Sequence, residues 1–319
     1  MAHLVENMAY VGRTPWHGLG ARVDTGLPIE DWIIHAGLDW EIQESPVRFL
    51  SGSKSYLGEM KAFDEHKVLY RSDSCQPLSV VGQHYKVVQP REILEFYRDL
   101  TEKSGFELDT AGVLKGGRKL WALAKTGQTT ALKGKDVTHA YVLLATACDG
   151  TMATTAQFTS IRVVCNNTLA VALGDSSGAV KVPHRSVFDA SAVKQSLGIS
   201  VSIWDEFMYR MKTLTERPVK ESEVRNYLLR VMADPDKASI SKGTERNMAT
   251  VLDLYEGRGM GSQLSSAKGT AYGLLNAVTQ FVDHERRARS QDNRLDSAWF
   301  GQGAALKKKA LDEALLLVA

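Results

Sequence analysis

Cysteine is scarce in this chain: Cys75, Cys148 and Cys165 are its only thiols in 319 residues. Three irregularly spaced cysteines exclude a disulfide scaffold and a four-ligand zinc site. The opening MAHLVENMAYVGRTPWHGLG lacks a basic start followed by an apolar run. No secretory leader is therefore expected, and the odd cysteine count suits a reducing cytoplasm, here that of a bacterial host cell. Uninterrupted apolar runs are missing too. None approaches the ~20 residues needed to cross a bilayer, so no membrane span is expected. Charge of one sign is also lacking, with 39 Lys and Arg against 37 Asp and Glu and a net charge of +2. The whole molecule does not steer polyanions, and any nucleic-acid contact has to come from a local patch.

The chemistry-bearing motifs are equally sparse. The eight histidines are scattered, with no HxH, HExxH or Cys-x-x-Cys, so no metal is expected. The glycines at Gly18/Gly20 and Gly257/Gly259/Gly261 lack the strand-to-helix setting of a dinucleotide fingerprint. They also lack the Gly-Lys-Ser/Thr of a phosphate-binding loop. No cofactor and no ATP-driven step are expected.

What is present is ordinary globular material, 44% hydrophobic and 24% charged. Its length suggests two domains. Met1 to Gly26 reads as an extended or irregular arm, and Pro28 opens a short helix through Trp32, Ile33 and Ala36 that Gly37 stops. Trp40–Leu50 and Lys67–Arg71 read as strands around a Gly52-to-Gly58 loop, with Gln76–Val81 as a further strand. Pro90 opens an amphipathic helix carrying Ile93, Leu94, Tyr97 and Leu100, which Gly105 ends. Phe106–Leu114 and Arg118–Lys125 form a hairpin about Gly116-Gly117.

Val137–Thr146 is apolar and partly β-branched, as in a strand buried on both faces. Asp149-Gly150 supplies a tight two-residue turn, and Met152–Phe158 returns. Thr159-Ser160 then caps a helix. On it Ile161, Val164, Cys165, Thr168 and Ala172 share one face, Arg162 and Asn166 the other, and Gly174 is the stop. Strands in series closed by a covering helix predict an α+β fold with an antiparallel meander.

After about His184 four helices are predicted. They are marked by Ile203 to Leu214, by Val224 to Val231 with Pro235 as the stop, by Leu274 to Val282, and by Leu306 to Val318. The expected division is an α+β domain at 1–183 and a helical domain at 184–319.

Three landmarks stand out: Pro15-Trp16-His17-Gly18-Leu19-Gly20, then Ile161-Arg162-Val163-Val164-Cys165-Asn166-Asn167-Thr168, then Trp299-Phe300-Gly301 followed by Lys307. Together they resemble the phage/plasmid-like protein family, a domain of unknown function carried by phages, plasmids and integrated elements. The resemblance spans nearly the full chain and implies a mobile-element origin, with no established reaction. The order of elements, a meander followed by a long helix on the sheet, is similar to the core of the ring-forming single-strand-annealing recombinases. That is an analogy of architecture and does not determine function.

Candidate contacts follow from charge and spacing. Arg162 and Asn166, one helical turn apart, can present a guanidinium fork and an amide to phosphates or base edges, with Asn167 beside them. Adjacent asparagines cost a helix about half a kcal/mol each relative to Ala, which suggests a use for the amides. The plainer alternative pairs Arg162 with a carboxylate and leaves the asparagines in a turn. Lys115, Arg118 and Lys119 at a hairpin tip, with Arg71 upstream and Trp121, Tyr141 and Tyr85 as stacking surfaces, suit sequence-independent single-strand binding. Lysines at hairpin tips also serve simply as soluble edges. Arg286 and Arg287 lie in the densest basic cluster, and Lys307-Lys308-Lys309 is a second run. A solvated helix face is the alternative for both. Cys165 falls on the apolar face, where it behaves as a small hydrophobe rather than a nucleophile.

The expected function is that of a mobile-element DNA-metabolism protein. It would bind single-stranded DNA and promote ATP-independent annealing, as a homo-oligomer and with no catalytic residue. The alternative is a host-takeover or counter-defence interaction factor without nucleic acid. An enzyme built around His17, Cys165 or an acidic cluster is the least favoured reading.

Overall fold

The computed structural model describes residues 5–12, 20–53, 56–165, 167–170, 179–197, 201–234, 236 and 239–318. In chain order the elements begin with β1 (Val5–Val11), β2 (Ala21–Val23), α1 (Ile29–His35), β3 (Ile42–Ser53), β4 (Tyr56–Arg71) and β5 (Pro77–Gly82). There follow α2 (Pro90–Ser104), β6 (Glu107–Leu114), β7 (Lys119–Leu132), β8 (Asp136–Ala147), β9 (Thr154–Arg162), β10 (Asn167–Ala170) and β11 (Ala179–Val182). The rest is helical: α3 (Ala190–Leu197), α4 (Val201–Glu216), α5 (Glu221–Met232), α6 (Lys242–Asp253), α7 (Ala271–Gln280), α8 (Gln291–Phe300) and α9 (Gln302–Leu315). The fold is α+β, with the helices concentrated after the strands. Pro235, the predicted stop of α5, lies outside the described residues.

The meander β6-β7-β8-β9 forms as predicted and is the centre of an eight-stranded sheet in the order β10-β9-β8-β7-β6-β1-β2, with β11 also on β9. One face carries α2, whose Tyr97 is fully buried. Its hydroxyl lies 2.8 Å from the Ala122 carbonyl and accepts the Leu144 N–H at 2.9 Å, tying helix to sheet. The same apolar cluster continues from Phe158 and Leu169 of the sheet into Trp204, Phe207, Leu274 and Val278 of the helices. Trp204 also donates to Thr130 Oγ1 at 2.9 Å.

Four local expectations are corrected. The amino-terminal segment is extended where it is described, but it is not a separate arm: β1 pairs antiparallel with β6 and parallel with β2, so Met8 and Ala9 are buried. Covering the free edge of β6 is a non-local gain that no periodicity within residues 1–26 announces. The Gly52-to-Gly58 segment is largely strand rather than loop, since β3 and β4 pair out to Ser53 and Tyr56. Asp149-Gly150 is not a two-residue turn; the connection runs from Cys148 to Ala153, with Gly150 at φ +75° and Asp149 accepting from Thr151 N–H.

The fourth correction is the largest. No helix starts at Ser160: β9 continues through Arg162, turns at Val163 to Cys165, and returns as β10. The sequence Thr154–Arg162 alternates, with Ala156, Phe158, Ser160 and Arg162 buried on one face and Thr155, Gln157 and Ile161 half-buried on the other. Pairing with β8 from Ala145↔Thr155 to Thr138↔Arg162 fixes that alternation over a helical reading of the same residues. Asn166, Ala172 and Gly174 lie outside the described residues.

Candidate functional site

Strand alternation places Leu123, Leu143, Gln157, Thr159 and Ile161 on the sheet face opposite α2. Among the described residues, helices α8 and α9 reach this face. Leu295 packs into Trp121, Leu123, Tyr141 and Leu143. Trp299 stands edge-on to Trp121 at 4.9 Å, with Phe300 edge-on to Trp299 at 6.1 Å. Lys115 and Lys119 clamp α8 to the sheet through one carboxylate, Lys115 Nζ lying 2.6 Å from Asp296 Oδ2 while Lys119 bonds Asp296 Oδ1. Among the described residues the face beyond α8 stays open as a groove of about 300 Å³. Thr155, Gln157, Thr159 and Ile161 form its floor, Trp299, Phe300 and Lys308 one wall, and Lys181 of β11 its outer margin. Lys181 and Lys308 are exposed.

Behind the groove the β9–β10 hairpin is joined to the helices by a buried polar network. Arg162 makes a two-pronged bond to Asp136, at 2.7 Å and 2.6 Å, and Ser266 Oγ donates to the same carboxylate at 2.6 Å. Burial pulls the Arg162 guanidinium down, but its bonds to Asp136, together with the electrostatic pull of Tyr272, Cys165 and Asp136, hold it above its ordinary range. Arg162 Nη2 also donates to the Gly261 carbonyl at 3.2 Å. Gly261 has φ +70°, and a Cβ there would meet Val164 at 2.8 Å and Arg162 Nη2 at 3.0 Å, so the close approach depends on glycine.

Asn167 donates to the Asn276 carbonyl at 3.2 Å and Thr279 Oγ1 at 3.0 Å. His284 Nε2 lies 3.2 Å from Asn167 Oδ1, which makes the imidazole nitrogen the donor. Thr168 N–H donates to Asp283 Oδ2 at 2.8 Å, while Lys307 Nζ donates to Asp283 Oδ1 at 2.8 Å and Thr168 Oγ1 at 2.7 Å. Burial pushes the Lys307 ammonium below its ordinary range, opposed by Asp283. The Cys165 thiol is pushed up to about 11 by burial, with Arg162 opposing. A thiol so protonated and enclosed is a poor nucleophile.

The predicted contact residues are thus dispersed. Arg162 is buried on a strand, not displayed on a helix, and can reach a phosphate only by abandoning Asp136. Asn167 is buried as well, and Asn166 lies outside the described residues. Arg71 is buried on the three-stranded sheet β3-β4-β5, bonded to Asp73 at 2.9 Å and 2.6 Å and stacked 4.2 Å above Trp40. Lys115 and Lys119 meet at Asp296, and Arg118 is exposed at the hairpin tip. Arg286 donates to Gln302 at 3.3 Å, and Arg287 is exposed. None of the eight that are described lines the groove.

The cations that do line it are Lys181, Lys307 and Lys308. Lys307, read as part of a solvated run, is buried instead. The sequence signal for this site was the landmark Trp299-Phe300-Gly301 with Lys307, which converges in the groove with Ile161 and Thr168 of the middle landmark. Trp16 and His17 of the first landmark lie outside the described residues. Lys181 carries no local signal at all. Among the described residues no group of three or more His, Cys, Asp and Glu is placed to hold a metal ion, and no helix is long and apolar enough to cross a membrane.

The sequence profile described as "Domain of unknown function (DUF932)" matches residues 77–299. That is more than half of the chain, and the protein belongs to this family. No curated protein and no solved structure matches it.

Proposed function

We propose that this DUF932 protein binds single-stranded nucleic acid, DNA in the first instance, in the groove on the uncovered sheet face. In this reading it promotes ATP-independent annealing as part of mobile-element DNA metabolism. The observation that carries the reading is the groove itself: a sheet surface open among the described residues, beside two aromatic rings, with exposed lysines at both margins. Bases stack against Trp299 and Phe300, phosphates face Lys181 and Lys308, and Gln157 and the floor threonines offer hydrogen bonds that any base can use. Stacking leaves base-pairing edges available, which annealing requires.

Only Lys181 and Lys308 are assigned to phosphates, so salt dependence is shallow. Two phosphate contacts on a single strand give a log–log slope of about −1.4, or roughly sevenfold weaker binding between 50 and 200 mM salt. The test is fluorescence anisotropy with a labelled oligothymidylate. Wild-type protein binds with that slope, Lys308→Glu weakens binding, and Arg118→Glu, outside the groove, leaves it unchanged. No binding at low salt, or binding indifferent to Lys308→Glu, defeats the proposal. A protein-interaction role without nucleic acid draws its support from a different surface, the exposed Phe49, Leu50, Met60 and Phe63 of the β3–β4 hairpin. It predicts that partner recovery survives nuclease treatment.

A further inference from the structure

The hairpin β3–β4 runs well past the body of the protein. β5 covers β4 only from His66 to Tyr70, so the stretch from Val47 to Phe63 is a two-stranded arm. It exposes large apolar side chains, with Phe49 48%, Leu50 64%, Met60 63% and Phe63 43% accessible. Two-stranded ribbons are marginal in water, and a free strand edge is a template for another strand.

The arm has two edges, and they are not equivalent. That of β3 is interrupted by Pro46, which has no N–H, and its start at Ile42 is occupied by the Gln89 side chain at 2.9 Å and 3.1 Å. Among the described residues that of β4 is unblocked from Gly58 to Asp64, and it ends where Gln83 N–H takes the Glu65 carbonyl at 2.9 Å.

We propose that the free edge of β4 pairs antiparallel with the same edge of a second copy of this chain, centred on Met60. A two-fold axis through an antiparallel ladder must set one residue opposite itself, because the hydrogen-bonded and non-hydrogen-bonded pairs alternate. With Met60 at the centre, Lys61 faces Glu59 of the partner subunit, twice over. Neither of these charges has an ion pair within the chain among the described residues.

The neighbouring registers fail. Centring on Glu59 or Lys61 sets like charges opposite each other, centring on Ala62 leaves Lys61 facing an apolar ring, and centring on Phe63 requires the Glu65 edge that Gln83 already occupies. Within each copy Leu50 lies across from Met60. The Met60 register therefore lines up Leu50, Met60, Met60 and Leu50 in one apolar row across a four-stranded sheet. This inference is independent of the groove and of what it binds.

The full chain is tested by sedimentation equilibrium. At about 50 µM, where a moderate dimer forms, the wild type is expected at twice the 35.1 kDa chain mass. Lys61→Glu places two carboxylates opposite each other at both ends of the ladder and weakens the dimer at least about tenfold. The exchange Lys61→Glu with Glu59→Lys restores it. Both positions are exposed, and unchanged circular dichroism shows the fold intact. A monomeric wild type, a dimer that ignores Lys61→Glu, or an exchange that fails to restore it would each overturn the proposal.

Discussion

Replacing Lys307 by Met tests the buried network behind the groove most directly. The substitution keeps an unbranched stem of similar volume, so packing changes little, but it removes the ammonium that bonds Asp283 Oδ1 and Thr168 Oγ1. Asp283 is 0% exposed and Lys307 4%, so water cannot replace the lost partner. Removing half of a buried ion pair costs about 3–5 kcal/mol. Asp283 retains the Thr168 N–H, which places the expected loss at about 3 kcal/mol, the lower end of that range. Adding Asp283→Asn removes the stranded charge while keeping an acceptor for Thr168. The double variant is therefore expected to lose only about 1–2 kcal/mol. Urea unfolding followed by tryptophan fluorescence reads both values, from shifted midpoints at constant slope. A Lys307→Met loss below about 1 kcal/mol, or a double variant whose loss is the sum of the two single-variant losses, would contradict a buried Lys307–Asp283 pair.

Three further outcomes follow from the same geometry. Gly273→Ala is expected to destabilise by several kcal/mol or prevent folding, because a Cβ there would lie 1.9 Å from the Ala267 carbonyl oxygen; thermal unfolding of the variant checks it. Burial holds the His284 imidazole below its ordinary range, against the opposing pull of Asp283. The unfolded chain therefore takes up the proton first. That contribution is complete above the unfolded value of about 6.5 and is lost as pH falls below it, so urea midpoints should decline from about pH 7 to 5, less steeply in His284→Gln. Native protein should release one rapid thiol equivalent to a chromogenic disulfide, from exposed Cys75. Cys148 and Cys165, pushed up by burial to about 12 and about 11, should react only after unfolding.

Local chemistry was sufficient for several elements. Pro90 with Gln89 and Glu92 starts α2 through a capping box, and Gly105 ends it at φ +70°. The hairpin about Gly116-Gly117 and the long apolar strand β8 were likewise written in short-range pattern. Ile161, Val164, Cys165 and Thr168 fit a helical period, yet the same stretch fits a strand alternation. What settled it was a partner, β8, whose Thr138 pairs with Arg162. The open groove was half legible, through Trp299, Phe300 and Lys307, but Lys181 joins it only because β11 lies on β9.

The amino-acid order alone determined the α+β class, the meander and the helices α1, α2, α4, α5, α7 and α9, though not α3, α6 or α8, because turn residues and hydrophobic periods act over a few positions. Tertiary structure alone decided which cations are free. Arg162 meets an aspartate 26 positions away and Lys307 a threonine 139 positions away, and burial is a property of those encounters. A charged side chain has no fixed role until the chain has chosen what surrounds it.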